Sequence, residues 1–444
     1  MFGGGRAAHP VVYGVGRGRD QTCVPSGGTR ASGGTPPRSY DHRVEQGRRL
    51  MPAQVITGAV PRRDGLAAGD VLVPDGDDNP LLTAELRHRG LRVHTGTWAS
   101  FGLPAPPAPA VAVYTVDGPD GTGTVGAVLA GWHAAAGART VLLPQPQSFC
   151  AGVERAIEIV EEALARFPHP VYVRKQIVHN LHVVRDLADR GAVFVDELDE
   201  VPAGATVVFS AHGVAPSVHQ EAAGRRLRVI DATCPLVTKV HSEVRRFARR
   251  DHQIVLIGHA GHEEAEGTLG EAPERTRLVQ TAADVAALPD IDGPVAYVTQ
   301  TTLAVDEVTA VVAALRERFP QITGPGSDDV CYATTNRQRA VLAVAGESDL
   351  VYVVGSRNSS NSVRLVELVE RAGKSARLIE DVTGVRLAEL AGATTVGLTA
   401  GASASPTLVA RIVRSLRRLG PVEVVERRVA TETITFNLPR ELAS

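Results

Sequence analysis

From about residue 139 onward, short β-branched runs alternate with amphipathic helical stretches, and no other feature constrains the fold as tightly. Such alternation is the signature of layered α/β proteins with parallel sheets. After Cys150, the residues Val153, Ala156, Ile157, Val160 and Leu164 follow the spacing of one helix face, while Glu154, Arg155, Glu158, Glu161 and Glu162 take the others. After Cys234, Pro235 suits a first helical position, and Val237, Val240, Val244 and Phe247 form the stripe to be buried.

Three cysteines punctuate this pattern at the same kind of place. The stretches "LLPQPQSFCAGVERA", "VIDATCPLVTK" and "DDVCYATTNRQ" each put a cysteine where a helix begins. Their separations, 234 − 150 = 84 and 331 − 234 = 97, suggest three related lobes, each the size of a small domain. Lobes arranged around a centre could bring Cys150, Cys234 and Cys331 to one point. A helix N-terminus there favours the thiolate that a metal needs. Three ligands on an iron–sulfur cubane leave one iron without a protein ligand, unlike the four-cysteine electron-transfer type. The plainer reading is three buried thiols acting as small hydrophobes. No CxxC occurs, and four scattered cysteines are too few for a disulfide framework.

Composition excludes some classes. The formal charge, 47 − 49 = −2, gives no argument for nucleic acid or an anionic membrane. No apolar run approaches the ~20 residues of a membrane span, and the N-terminus lacks a secretory pattern, so a cytoplasmic protein is expected. Residues 1–50, with eleven glycines, eight arginines and three acidic residues, read as a disordered tail containing Cys23, and Met51 offers an alternative start. Residues 51–138 read as a small α/β appendage, with a helix and strand in "NPLLTAELRHRGLRV", a strand in "VAVYTV" and a helix in "VGAVLAGWHAAAGA". Residues 429–444 read as a C-terminal tail.

The expected strands end in polar clusters: "VYVRKQIVHN", "VVFSAHGV", "IVLIGHAGHEEAEG", "VAYVTQTTL", "LVYVVGSRNSSNS" and "TTVGLTAGASAS". Ligands of parallel α/β sheets collect at the carboxyl ends of strands, so six such ends suggest a shared polar cavity. Ser359, Ser360 and Asn361 before one helix, and Ser403 before another, can donate to phosphate oxygens. Simple N-capping accounts for one serine per helix but not for the cluster. His179 and His212 could serve the same anion. The absence of GxxxxGK[ST] argues against a nucleoside triphosphate. In "GHAGHEEAEG", zinc on His259, His262 and a carboxylate is one reading; a carboxyl acting as proton donor, with Thr301 positioning a hydroxyl, is the other. The residues alone therefore specify a metal-bearing pocket for a small phosphorylated molecule, with an acid nearby.

In order along the chain, "FCAGVERAI", "IVHN", "SAHGV", "DATCPLVTKVH", "GHAGHEEAEGT", "TQTTL", "CYATTNRQ", "GSRNSSNS" and "TAGASAS" closely resemble the 4-hydroxy-3-methylbut-2-enyl diphosphate reductases. These are iron–sulfur enzymes of the last step of the methylerythritol phosphate route to isoprenoids. The resemblance covers about residues 139–428. It implies three α/β lobes (about 139–234, 235–327 and 328–428) in a trefoil around one [4Fe–4S] cluster per chain, with an N-terminal extension. It also implies that Cys150, Cys234 and Cys331 ligate the cluster and that the substrate hydroxyl meets the unique iron. By the same resemblance His179, His212, His262, Ser359, Ser360, Asn361 and Ser403 hold the diphosphate, and Glu264 with Thr301 delivers protons. Ferredoxin or flavodoxin would supply single electrons to a monomer or homodimer. One departure stands out: where the family reads "PRGFCAG", this chain has "PQSFCAG". If that glycine needs positive φ, Ser148 is strained by about 1 kcal/mol or more. A divergent paralogue acting on a related allylic diphosphate, and a zinc-dependent hydrolase, are the competing expectations.

Overall fold

The structure, a computed structural model, describes residues 54–60, 65–76, 79–103, 105, 110–116 and 122–442. The expected disordered tail, with Cys23 and Met51, lies outside the described residues.

Past residue 139 the described chain forms three sheets, and every strand pairing in them is parallel. One has four strands in the order Ala192–Val195, Val171–Arg174, Thr206–Phe209, Arg228–Asp231. A second has three, in the order Thr276–Val279, Gln253–Ile257, Val295–Thr299. The third runs Ala376–Ile379, Leu350–Val354, Thr395–Ala400, Arg139–Gln145, Val422–Arg428. The strand Arg139–Gln145, expected to open the first lobe, therefore lies inside the third sheet, where Thr140 is in register with both Thr395 and Glu423. Its apolar run Val141–Leu143 is buried, as a strand covered on both faces requires. Local pattern specifies a buried strand but not the sheet it joins.

Each cysteine-led helix passes from one sheet to the next. Ala151–Arg166 follows a strand of the five-stranded sheet, yet packs Ala156, Ile159, Val160 and Ala163 against Val171 and Val173 of the four-stranded one. Pro235–Ala248 follows Arg228–Asp231 and packs Val240, Val244 and Phe247 against Ile254, Leu256 and Val298 of the three-stranded sheet. Tyr332–Ala345 comes after the three-stranded sheet and packs Val341 and Ala345 against Val351 and Val353 of the five-stranded sheet. The cysteines thus stand at the crossovers between sheets.

The N-terminal extension forms its own sheet, in the order Gln54–Val60, Ala110–Val116, Val71–Pro74, Val93–Gly96, with helices Pro80–His88 and Thr122–Ala135. Its apolar residues Leu82, Val113, Val128 and Trp132 share one core with Val141, Tyr352, Leu387 and Leu398 of the five-stranded sheet and its helices. The small α/β appendage thus packs as a layer on that sheet. At the other terminus, Leu438 and Leu442 pack into the core under Ala151–Arg166. Arg155 Nε and Arg166 Nη1 donate to the carbonyls of Asn437 and Leu442 at 2.8 and 2.7 Å. No helix among the described residues is long and apolar enough to cross a membrane.

Candidate functional site

Cys150, Cys234 and Cys331 are the N-cap residues of their three helices. Each is also tied by its backbone to a polar strand end. The Cys150, Cys234 and Cys331 amides donate to the carbonyls of Ala402, Ala211 and Thr301 at 3.1, 3.0 and 3.0 Å. These ties bring the sulfurs to one cavity of about 760 Å³, mouth included, which all three line. Gly152 is required there: a Cβ at that position would sit 2.7 Å from Cys234 Sγ and 3.9 Å from Cys150 Sγ.

All three thiols are free. Burial pushes the Cys150 thiol up, against the pull of the Arg337 guanidinium. Burial takes Cys234 to about 12 and Cys331 to about 11. Cys331 Sγ accepts a capping bond from Thr334 N at 3.3 Å, with Thr334 Oγ1 at 3.2 Å, while the N–H groups of Gly152 and Val153 pull Cys150 down and those of Leu236 and Val237 pull Cys234 down. Three soft donors, neighbours yet unbridged, fit a thiophilic metal or an iron–sulfur cluster, whose positive charge would bring them to the thiolate form.

The opposite wall is made of histidines and hydroxyls. The rings of His179 and His212 stack at 4.0 Å, and His262 stands edge-on to His179 at 5.3 Å. Hydrogen bonding fixes the tautomers. His179 Nδ1 accepts from Asn358 Nδ2 at 3.2 Å, so Nε2 carries the proton, and that buried atom has no partner among the described residues. His262 Nδ1 accepts from the Glu264 amide at 3.2 Å, which leaves its Nε2 as donor too. Burial and the neighbouring His212 hold His262 down at about 3, and burial with both neighbouring rings holds His179 lower still. These are neutral N–H donors. His212 Nδ1 meets Glu263 Oε2 at 2.9 Å; burial works to raise Glu263, but this bond brings it below the ordinary carboxylate range.

Ser359 caps the helix Ser360–Arg371. Its Oγ lies 3.4 Å from Ser403 Oγ, which donates to the His179 carbonyl at 3.0 Å. Asn361 Oδ1 accepts from the Ala402 amide at 2.9 Å, beside the Cys150 tie. Hydroxyls, imidazole N–H groups and the N-terminus of a twelve-residue helix form an anion cradle.

Between the two walls sits Glu264, 2% exposed. Its Oε1 accepts from Thr301 N at 2.6 Å, and its Oε2 lies 3.0 Å from Thr301 Oγ1. Burial raises this carboxyl above the ordinary range, against the pull of the two Thr301 bonds. The Thr301 amide occupies Oε1, and Oε2 faces the Thr301 hydroxyl, which donates to it. The pair can pass a proton into the cavity.

All twelve residues singled out from the sequence (Cys150, Cys234, Cys331, His179, His212, His262, Glu264, Thr301, Ser359, Ser360, Asn361 and Ser403) line this one cavity. The zinc reading on His259 and His262 fails. Among the described residues the group with ligand spacing is His179, His212 and Glu263, and His262 Nδ1 is already taken by the Glu264 amide. Sequence reasoning missed Thr334, Asn358 and Phe436, and left Glu263 without its partner. "CYATTNRQ" offered Thr334 at the third helical position beyond Cys331, where a hydroxyl reaches back to a cap. Nothing local signalled Phe436, which comes to the cavity from the C-terminal segment.

Comparison with known proteins gives one answer. The family model described as LytB protein matches residues 141–417. A Mycobacterium bovis protein named 4-hydroxy-3-methylbut-2-enyl diphosphate reductase 2 is 57% identical over 323 residues, covering 72% of this chain and 98% of that one. A Rhodococcus opacus protein named 4-hydroxy-3-methylbut-2-enyl diphosphate reductase is 57% identical over 308 residues, covering 69% and 92%. The solved E-1-hydroxy-2-methyl-but-2-enyl-4-diphosphate reductase of Plasmodium falciparum superposes with a TM-score of 0.66 at 36% identity, covering 69% of this chain and 97% of that one.

Proposed function

This chain belongs to the LytB protein family, and from that premise we propose how its residues perform the family's reaction. The enzyme is a 4-hydroxy-3-methylbut-2-enyl diphosphate reductase of the methylerythritol phosphate route. It removes the allylic hydroxyl of its substrate as water and yields isopentenyl and dimethylallyl diphosphates. In balance, the alcohol takes up two electrons and two protons and releases one water.

Cys150, Cys234 and Cys331 would hold a [4Fe–4S] cluster, one per chain, at the centre of a trefoil formed by the three sheets of residues 139–428. When bound, that group supplies single electrons and Lewis acidity at the carbon–oxygen bond. His179 and His262 donate Nε2–H to the diphosphate, and Ser359, Ser360, Asn361 and Ser403 bind its other oxygens at the start of Ser360–Arg371. Stacked against His179 and oriented by Glu263, His212 completes the cradle. Val178, Val237 and Phe436, which also line the cavity, suit the five-carbon chain and exclude water. Glu264, kept protonated by burial, gives its Oε2 proton to Thr301 Oγ1, whose own proton goes to the departing hydroxyl. Electrons come from ferredoxin or flavodoxin, and the enzyme works in the cytoplasm.

The observation that carries this reading is the shared cavity: three free thiols, one buried carboxyl and a cradle of three imidazoles and several hydroxyls line the same space. Anaerobic reconstitution and assay with the allylic diphosphate and a reductant test it. Parent protein should be brown and active. Glu264→Gln should keep colour and substrate affinity while the rate falls about 10²- to 10⁴-fold, the usual contribution of a general acid. An undiminished rate in Glu264→Gln would end the acid assignment.

A further inference from the structure

Arg337 is the largest fully buried side chain of the described residues, with no exposed surface, although it carries a full charge. It lies on Tyr332–Ala345, the helix that Cys331 caps, yet it reaches into a different loop. Its Nε and Nη2 donate to the Ser148 carbonyl at 3.0 and 2.7 Å, and Nη2 also reaches the Phe149 carbonyl at 3.1 Å. Nη1 donates to Ala333 O at 2.9 Å and to Glu432 Oε1 at 3.1 Å. Glu432 belongs to the segment after the last strand, and Asn336 Nδ2 holds it from the same helix at 3.1 Å. One guanidinium therefore joins the two residues before Cys150, the helix after Cys331 and the C-terminal segment.

The loop it grips is the strained one. Ser148 has φ +65°, is 5% exposed, and leaves its buried hydroxyl without a partner. A serine in the left-handed region is strained. Charge-assisted bonds are the stronger kind, and two of them on the Ser148 carbonyl hold the loop against that strain. A buried cation must be paired, and Glu432 is its partner.

We propose that Arg337, paired with Glu432, is a positioning residue that sets the Cys150 loop and holds a fixed positive charge beside the three-thiol site, tuning how readily that site accepts an electron. The proposal rests on the cysteines being cluster ligands. A nearby positive charge favours the more negative, reduced state, and a nearby negative charge opposes it.

The test is a reductive titration of anaerobically reconstituted full-length protein, followed by electron paramagnetic resonance, with iron counted in the same samples. Glu432→Gln should move the midpoint potential upward and Arg337→Gln downward. Arg337→Lys keeps the charge but loses the fork, so its potential should stay near the parent's while iron is lost faster. A purely structural clamp would move both glutamine variants the same way. That outcome, or an unmoved Glu432→Gln, overturns the proposal, and Glu432→Gln decides alone should Arg337→Gln not fold. Parent protein without iron would instead defeat the cluster reading itself.

Discussion

At one end of the cavity, Ser359, Ser403, Asn361 and His179 exchange hydrogen bonds with one another and with neighbouring backbone, and what is left over is donor capacity. At the other end, burial drives all three thiols towards the protonated form, against the pull of the N–H groups at the helix starts. In the proposed function an anion would complete the first end, where N–H and O–H donors gather. A soft cation would complete the second, because uncharged thiols packed together gain little until a metal ionises them. Glu264 stands between, its carboxyl raised by burial towards the protonated form.

Breaking the sulfur end should have the largest effect. Cys234→Ser is expected to abolish both colour and turnover while leaving far-ultraviolet circular dichroism unchanged, since serine is isosteric and a favoured residue at the N-cap position of Pro235–Ala248. At the anion end, His179→Phe keeps a ring but removes one donor to a charged group, roughly 1.5–3 kcal/mol, so substrate affinity should fall about ten- to hundred-fold with iron content intact. Steady-state kinetics beside iron analysis separates the two ends: iron lost with His179→Phe, or retained with Cys234→Ser, would blur the distinction.

The middle of the cavity makes a pH prediction. Glu264 is active when protonated, so the rate should fall as pH rises through its elevated value. The Thr301 bonds pull that value down. Thr301→Val removes the hydroxyl and keeps the amide, so the falling limb should move to higher pH while kcat drops. A limb that stays put would detach Glu264 from Thr301. The smallest expected effect is at the Cys150 loop: Ser148→Gly removes the positive-φ strain and a buried unpaired hydroxyl and should stabilise the protein by about 1 kcal/mol in thermal unfolding.

Much of this was legible in the residues because the signals are local. A cysteine before Pro235 announces a helix start, and the polar stretches that end the strands announce a ligand-facing edge. The suspicion about Ser148 was also local, and its φ of +65° bears it out. What escaped was non-local. Arg139–Gln145 reads as a buried strand, but its partners are more than 250 residues away. Glu263 and His212 meet across 51 residues, and Arg337 reaches Ser148 across 189. The extension's helix Thr122–Ala135 was readable; that Trp132 packs into the core shared with Leu387 and Leu398 was not.

The central claim, convergence of three thiols on one cluster with a corner left open, is most directly tested by Mössbauer spectroscopy of ⁵⁷Fe-reconstituted protein with and without the allylic diphosphate. The account predicts about four irons per chain, one of them distinct and altered when substrate is added. Four equivalent irons indifferent to substrate, or less than about one iron per chain, would contradict it.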